Sequence, residues 1–162
     1  MPFSVTIVEL DETVYAPSEP VRATVRLVNV SPEPILLPWE PDWRQVPVGP
    51  DDRVVSLMLG LCLADERGNG LARFSRSVLY GVAGAPQTMR TLPPQGSLTI
   101  VLSSGWDSVP EAIAWPLWAL FPRELGVFAE VSFARQPIGR HFLRTTSNVS
   151  PALFQSKDPF RP

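Results

Sequence analysis

Residues 21–28 read VRATVRLV. Val21, Ala23, Val25 and Leu27 fall on one side of an extended chain and Arg22, Thr24 and Arg26 on the other. A period of two with a polar face suits an antiparallel strand with one side in water and does not suit a helix. The same alternation recurs in Phe3, Val5 and Ile7, in Leu98, Ile100 and Leu102, and in Val127, Ala129, Val131 and Phe133. Residues 54–64, VVSLMLGLCLA, place Val55, Leu57, Leu59, Leu61 and Leu63 on one face and smaller residues on the other. That run predicts a central strand covered on its leucine face.

Proline sets the other limit. The chain holds 19 prolines and 10 glycines in 162 residues, which breaks any long helix. Short runs at 35–37, 71–75 and 141–146, and a last one within 147–155, complete a count of about seven to nine strands between Gly/Pro turns. This predicts an all-β chain, a single immunoglobulin-like antiparallel β-sandwich over residues 1–154 with a short tail at 155–162. A jelly roll or small barrel is the alternative architecture.

Two stretches fit no strand. Residues 38–53, PWEPDWRQVPVGPDDR, hold four prolines, and residues 104–125 carry SGWDSVPEAIAWPLWALFPREL. In the second, Asp107 or Ser108 can cap a helical turn through Glu111 and Ala114, but Pro116 interrupts it, so a short helix or apolar loop is expected. All five tryptophans lie in these two stretches: Trp39, Trp43, Trp106, Trp115 and Trp118. Tryptophan is enriched in binding hot spots. The indoles therefore read as satellite core over the ends of a sandwich, as an aromatic patch for a partner or, third, as a platform for stacking on sugar faces.

The remaining chemistry is sparse. Net charge is -2, with 14 basic and 16 acidic residues, and every basic residue except Lys157 is arginine. No basic block stands out, so nucleic acid is not an expected partner. The N-terminus lacks a signal-peptide pattern and no apolar run reaches a membrane span, which predicts a cytoplasmic protein. Cys62 and His141 are the single cysteine and histidine. No disulfide within the chain and no cofactor is expected, and Cys62 reads as a small buried hydrophobe. Drawing His141, a serine and Asp158 into a triad has no spacing to support it. Asp51–Asp52 and Asp65–Glu66 with Asn69 are the best oxygen clusters for calcium, and they read as solvated turn acids. The N-x-S matches at Asn29 and Asn148 read as chance.

Five short pieces carry a resemblance. Residues 15–21, YAPSEPV, resemble a Y-x-x-G-E-P-V strand opening. Residues 27–35, LVNVSPEPI, resemble the L-x-N-x-S-x-x-P-I stretch that follows it. Residues 92–98, LPPQGSL, resemble an L-P-P-G turn before a late strand. Residues 125–131, LGVFAEV, resemble a G-x-Y-x-V strand, and Thr146–Val149 resemble an S-N-x-V opening of the last strand. In order and spacing the chain is similar to the intracellular proteinase inhibitor (BsuPI) domain family of bacterial immunoglobulin-like modules. Ser18 stands where that pattern has glycine, Gln95 displaces a glycine by one, and Phe128 replaces a tyrosine.

The expected function is non-catalytic protein–protein binding through the Trp/Pro-rich stretches. The resemblance implies a proteinase inhibitor as the alternative, with residues 76–92, including Arg76, Tyr80 and Arg90, as its loop. An enzyme of unrecognised type is the third reading. A protein partner is expected, and an exposed edge or loop offers a route to a homo-oligomer.

Overall fold

A computed structural model describes residues 2–16, 19–38, 56–74, 77–80, 89–104, 121–134 and 143–155. These residues form twelve strands and no helix: β1 (Phe3–Leu10), β2 (Val14–Tyr15), β3 (Val21–Asn29), β4 (Ile35–Pro38), β5 (Ser56–Ala64), β6 (Gly70–Arg73), β7 (Ser77–Tyr80), β8 (Met89–Leu92), β9 (Ser97–Ser104), β10 (Arg123–Ala134), β11 (Leu143–Thr146) and β12 (Ser150–Phe154). The all-β expectation holds. The strand count exceeds seven to nine because the extra strands, such as β2 with two residues and β7 with four, are too short to carry a period. They exist because a longer neighbour offers them hydrogen bonds.

The strands form three sheets. One has the order β1-β3-β9, a second runs β2-β12-β10-β5-β6 with β11 on β10 and β7 on β5, and β4 pairs with β8. Pairing is antiparallel except between β12 and β2, where Leu153 and Phe154 run parallel to Val14 and Tyr15. The expected fully antiparallel architecture is thereby corrected at one edge: Val14 and Tyr15 add a short parallel strand beside β12.

The inward rows of both large sheets join one apolar cluster. β3 gives Val21, Ala23, Val25 and Leu27; β9 gives Leu98, Ile100 and Leu102; β5 gives Leu59, Leu61 and Leu63; β10 gives Leu125, Val127, Ala129 and Val131. This is the alternation visible in the sequence, turned inward because burying apolar surface is the main favourable term in folding. On β5 the smaller row is buried as well: Gly60, Cys62 and Ala64 are covered like the leucines. Cys62 thus sits inside, opposite Phe128 of β10.

One close approach fixes a glycine. A Cβ on Gly126 would collide with Val149 Cγ1 and lie 3.3 Å from Ala64 Cβ, so β10 can pass between its neighbours there only without a side chain.

Candidate functional site

Trp39, Trp43, Trp106, Trp115 and Trp118 all lie outside the described residues, as do Arg76, His141, Asp158, Asp51 and Asp52. What the structure places is the framework from which the two tryptophan stretches leave and to which they return.

The first stretch leaves from β4 and returns at Ser56, the start of β5. The start of β4 and the start of β5 belong to one end of the sheets. Ser56 pairs with Ala134, the last residue of β10. Ile35 of β4 pairs with Leu92, and Leu92 is tied to Asn29 at the end of β3. The Asn29 side chain organises this end. It is fully buried; Nδ2 donates to the carbonyls of Glu33 (2.8 Å) and Leu92 (3.0 Å). Its Oδ1 accepts from Ser31 N (2.9 Å) and from the Ser31 hydroxyl (2.7 Å). Its backbone is engaged too: Asn29 N donates to Gly96 O and Gln95 N donates to Asn29 O, both at 2.9 Å. An amide suits this position because it supplies donors and an acceptor at once. The pieces LVNVSPEPI and LPPQGSL, far apart in sequence, are thus halves of one polar clip.

The clip contains a strained residue. Gln95 has φ of 61°, in the left-handed region that favours glycine. Gly96 beside it cannot take over, because it closes the turn: its N–H donates to Pro93 O at 2.8 Å, and an added Cβ would meet that oxygen at 2.8 Å.

The second stretch is shorter than the expected 104–125: Arg123, Glu124 and Leu125 already belong to β10, whose pairing with β12 holds them. Ser104 ends β9, paired with Val21, and the described chain resumes at Phe121. These points belong to the opposite end. Phe121 stacks on Phe154 with centroids 5.8 Å apart, Tyr15 stacks on it at 5.6 Å, and Phe74 meets it edge-on at 6.4 Å. Phe154 is the hub of this cluster and is fully buried. Aromatic pairs in these arrangements add to the area they bury.

Tyr15 is also tied by its hydroxyl. It donates to Asp11 Oδ1 at 2.6 Å and accepts from Glu12 N at 3.1 Å, while Asp11 Oδ1 also accepts from Arg22 N at 3.1 Å. Burial first, and the bond to Asp11 second, raise the pKa of the phenol above its ordinary value. The glutamate of YAPSEPV closes its own turn, with Glu19 Oε2 accepting from Ala16 N at 2.9 Å.

The other candidates are occupied by the fold. Asp65 Oδ1 accepts from Arg67 N and Asn69 N, both at 2.8 Å, and Oδ2 accepts from Asn69 Nδ2 at 2.9 Å. Hydrogen bonds from Asn69 hold its carboxyl below the ordinary value. The acid organises its own turn. Asn148 acts as a strand residue: its Oδ1 accepts from Ile7 N at 2.9 Å and Nδ2 donates to Ile7 O at 3.3 Å. Its neighbour Ser147 accepts through Oγ from Ala129 N at 2.8 Å. The S-N pair therefore pins the β11–β12 corner to both large sheets. Tyr80 closes β7 opposite Ser56 and Arg90 lies in β8 opposite Leu37, so both ends of the expected 76–92 loop are strands. Sequence reasoning misses the roles of Asn29 and Asn148, although both sit in the turn motifs that carry the family resemblance. Among the described residues one buried polar side-chain atom, Ser132 Oγ, has no hydrogen-bond partner. No helix among them is long and apolar enough to cross a membrane.

No protein-family model matches the chain, and no curated protein does. Among solved structures the chain is similar to the alkylpurine DNA glycosylase AlkC of Pseudomonas fluorescens, bound to DNA containing an abasic site analogue. Identity is 10% and the TM-score 0.42, over 96% of this chain and 31% of that one. It is similar to the sporulation control protein Spo0M of Bacillus subtilis at 10% identity and a TM-score of 0.40, over 96% of this chain and 50% of that one. It is similar to a β-glucosidase, EmGH1, of Erythrobacter marinus at 12% identity and a TM-score of 0.40, over 94% and 15%. The chain thus spans half or less of each of these proteins.

Proposed function

We propose that the chain is an immunoglobulin-like sandwich, of the kind its turn motifs resemble, acting as a non-catalytic protein-binding module. The tryptophan stretches are the contacts and the strands are the frame. One observation carries this reading: five polar side chains at or beside the described strand ends are spent on the frame itself. Asn29, Asp65, Asn148 and Glu19 each hold a turn or corner, and Asp11 holds Tyr15. A frame tied in this way suits the display of variable segments, as rigid scaffolds do for loops.

Ser56, where the first stretch returns, and Ser104, where the second leaves, lie at opposite ends of the sheets, so the proposal is for two separate contact points. Trp39 and Trp43 serve one, and Trp106, Trp115 and Trp118 serve the other. The test is affinity capture with the full chain, Trp39→Ala/Trp43→Ala, and Trp106→Ala/Trp115→Ala/Trp118→Ala, with unfolding curves as the fold control. The expected result is a stoichiometric protein partner held by the parent and weakened by either set. A partner held equally by all three proteins overturns the reading.

A further inference from the structure

The β1-β3-β9 sheet has two edges, and they are built differently. β1 is closed to further pairing at its middle. The Asn148 amide occupies both the N–H and the carbonyl of Ile7. The β1–β3 register then slips between Ile7 and Glu9, leaving Val8 as an unpaired bulge. Glu9 adds a charge. A bulge, a charge and a covering group are the usual devices that stop an edge strand from recruiting another.

Among the described residues β9 has none of them. Its eight residues, SLTIVLSS, include no charged residue, proline or glycine. It pairs with β3 from Val21↔Ser104 to Val28↔Ser97 without a slip. Among the described residues no strand pairs with its other side. Val101, on its outer face, is the most exposed large apolar residue described, at 63%. Among the described residues the edge therefore presents unpaired backbone groups on a long, regular, neutral strand.

We propose that β9 is a self-association edge, pairing antiparallel with β9 of a second copy of this chain about a two-fold axis. The occupant follows from the strand's own pattern. Even-numbered residues Leu98, Ile100 and Leu102 face the core, and odd-numbered Ser97, Thr99, Val101 and Ser103 face solvent. A register that keeps each face continuous sets Ile100 against its own copy and Leu98 against the partner's Leu102. On the outer face it sets Thr99 against the partner's Val101 and Ser97 against the partner's Ser103. Apolar meets apolar, β-branched meets β-branched, and hydroxyl meets hydroxyl, the pairings that stabilise neighbouring strands. No like charges meet along the seam. A two-fold contact of one patch with itself is the commonest way soluble chains assemble. The test reads this edge through positions 99 and 101 and changes no tryptophan.

Sedimentation of the full chain provides the test. The expected parent is a dimer of about twice 17.9 kDa that dissociates on dilution. Thr99→Glu/Val101→Glu sets four carboxylates together across the seam and should give a monomer. Thr99→Glu/Val101→Lys sets opposite charges together in the same register and should restore the dimer. Positions 99 and 101 are exposed, and within each copy position 99 lies opposite Arg26, so an unfolding curve should confirm that both variants keep the fold. A parent that sediments as a monomer at every concentration overturns the proposal. So does a dimer indifferent to the paired glutamates, or one that the charge swap fails to restore.

Discussion

The two ends of the sheets meet the same demand by different physics. At each, strands must stop and a long tryptophan-bearing stretch must leave and return. The Asn29 end is held by directional hydrogen bonds around one buried amide. The Phe154 end is held by three rings against a fourth. A polar clip specifies a geometry and fails when one partner is removed, because buried groups lose their bonds. An aromatic cluster contributes through area and packing, and its loss leaves a cavity. The first end therefore sets register, and the second supplies more of the stability.

The largest effect should come from the aromatic end. Phe154→Ala is expected to cost about 3–5 kcal/mol of folding stability, read from a urea unfolding curve of the full chain. A loss under about 1 kcal/mol would mean that the ring cluster is not a mainstay. Asn29→Ala should follow, at about 2–3 kcal/mol, because the Leu92 and Glu33 carbonyls and the Ser31 amide lose their shared partner. Asn29→Asp is expected to do no better. A carboxylate accepts from Ser31 but cannot donate to two carbonyls. Equal stability of parent and aspartate variant would break the clip as described.

The two ends also differ in how far the sequence reveals them. The Asn29 clip is visible in outline, because LVNVSPEPI and LPPQGSL are local patterns of turn residues. What stays hidden is that the two patterns face each other, since no spacing states that Asn29 reaches Leu92. The Phe154 cluster gives no signal. Tyr15, Phe74, Phe121 and Phe154 come from four separate segments, and stacking has no sequence spacing. Long alternating strands are legible because burial of one face imposes a period. β2 and β7 are not, because pairing with a longer neighbour creates them. The Asp65 turn is legible as a turn, and its carboxylate is spent on the turn's own amides. The tryptophans stand out by their grouping, and their positions lie outside the described residues.

Two smaller effects sharpen the contrast. The Tyr15 phenol has its pKa raised from an ordinary 10.0, so the fold favours the protonated form. The stability it contributes is complete below pH 10 and is lost as pH rises further, because the unfolded chain then releases the proton more readily. Tyr15→Phe should make the alkaline limb of a stability–pH curve flatter. An unchanged limb would mean that the hydroxyl is not held as described. At the other end, Gln95→Gly should stabilise the chain by roughly 0.5–1 kcal/mol. It relieves a left-handed side-chain-bearing residue while leaving Gly96 to close the turn. A loss of stability would mean that the Gln95 side chain contributes more than its backbone strain costs.

In the proposed binding module both ends present indoles to a partner. Acrylamide quenching of variants that keep one tryptophan each tests this most directly, with the remaining indoles replaced by phenylalanine. The expected result is at least one readily quenched, red-emitting indole among Trp39 and Trp43, and at least one among Trp106, Trp115 and Trp118. Weak quenching and blue-shifted emission from all five would instead make them part of the packed interior and contradict the proposal.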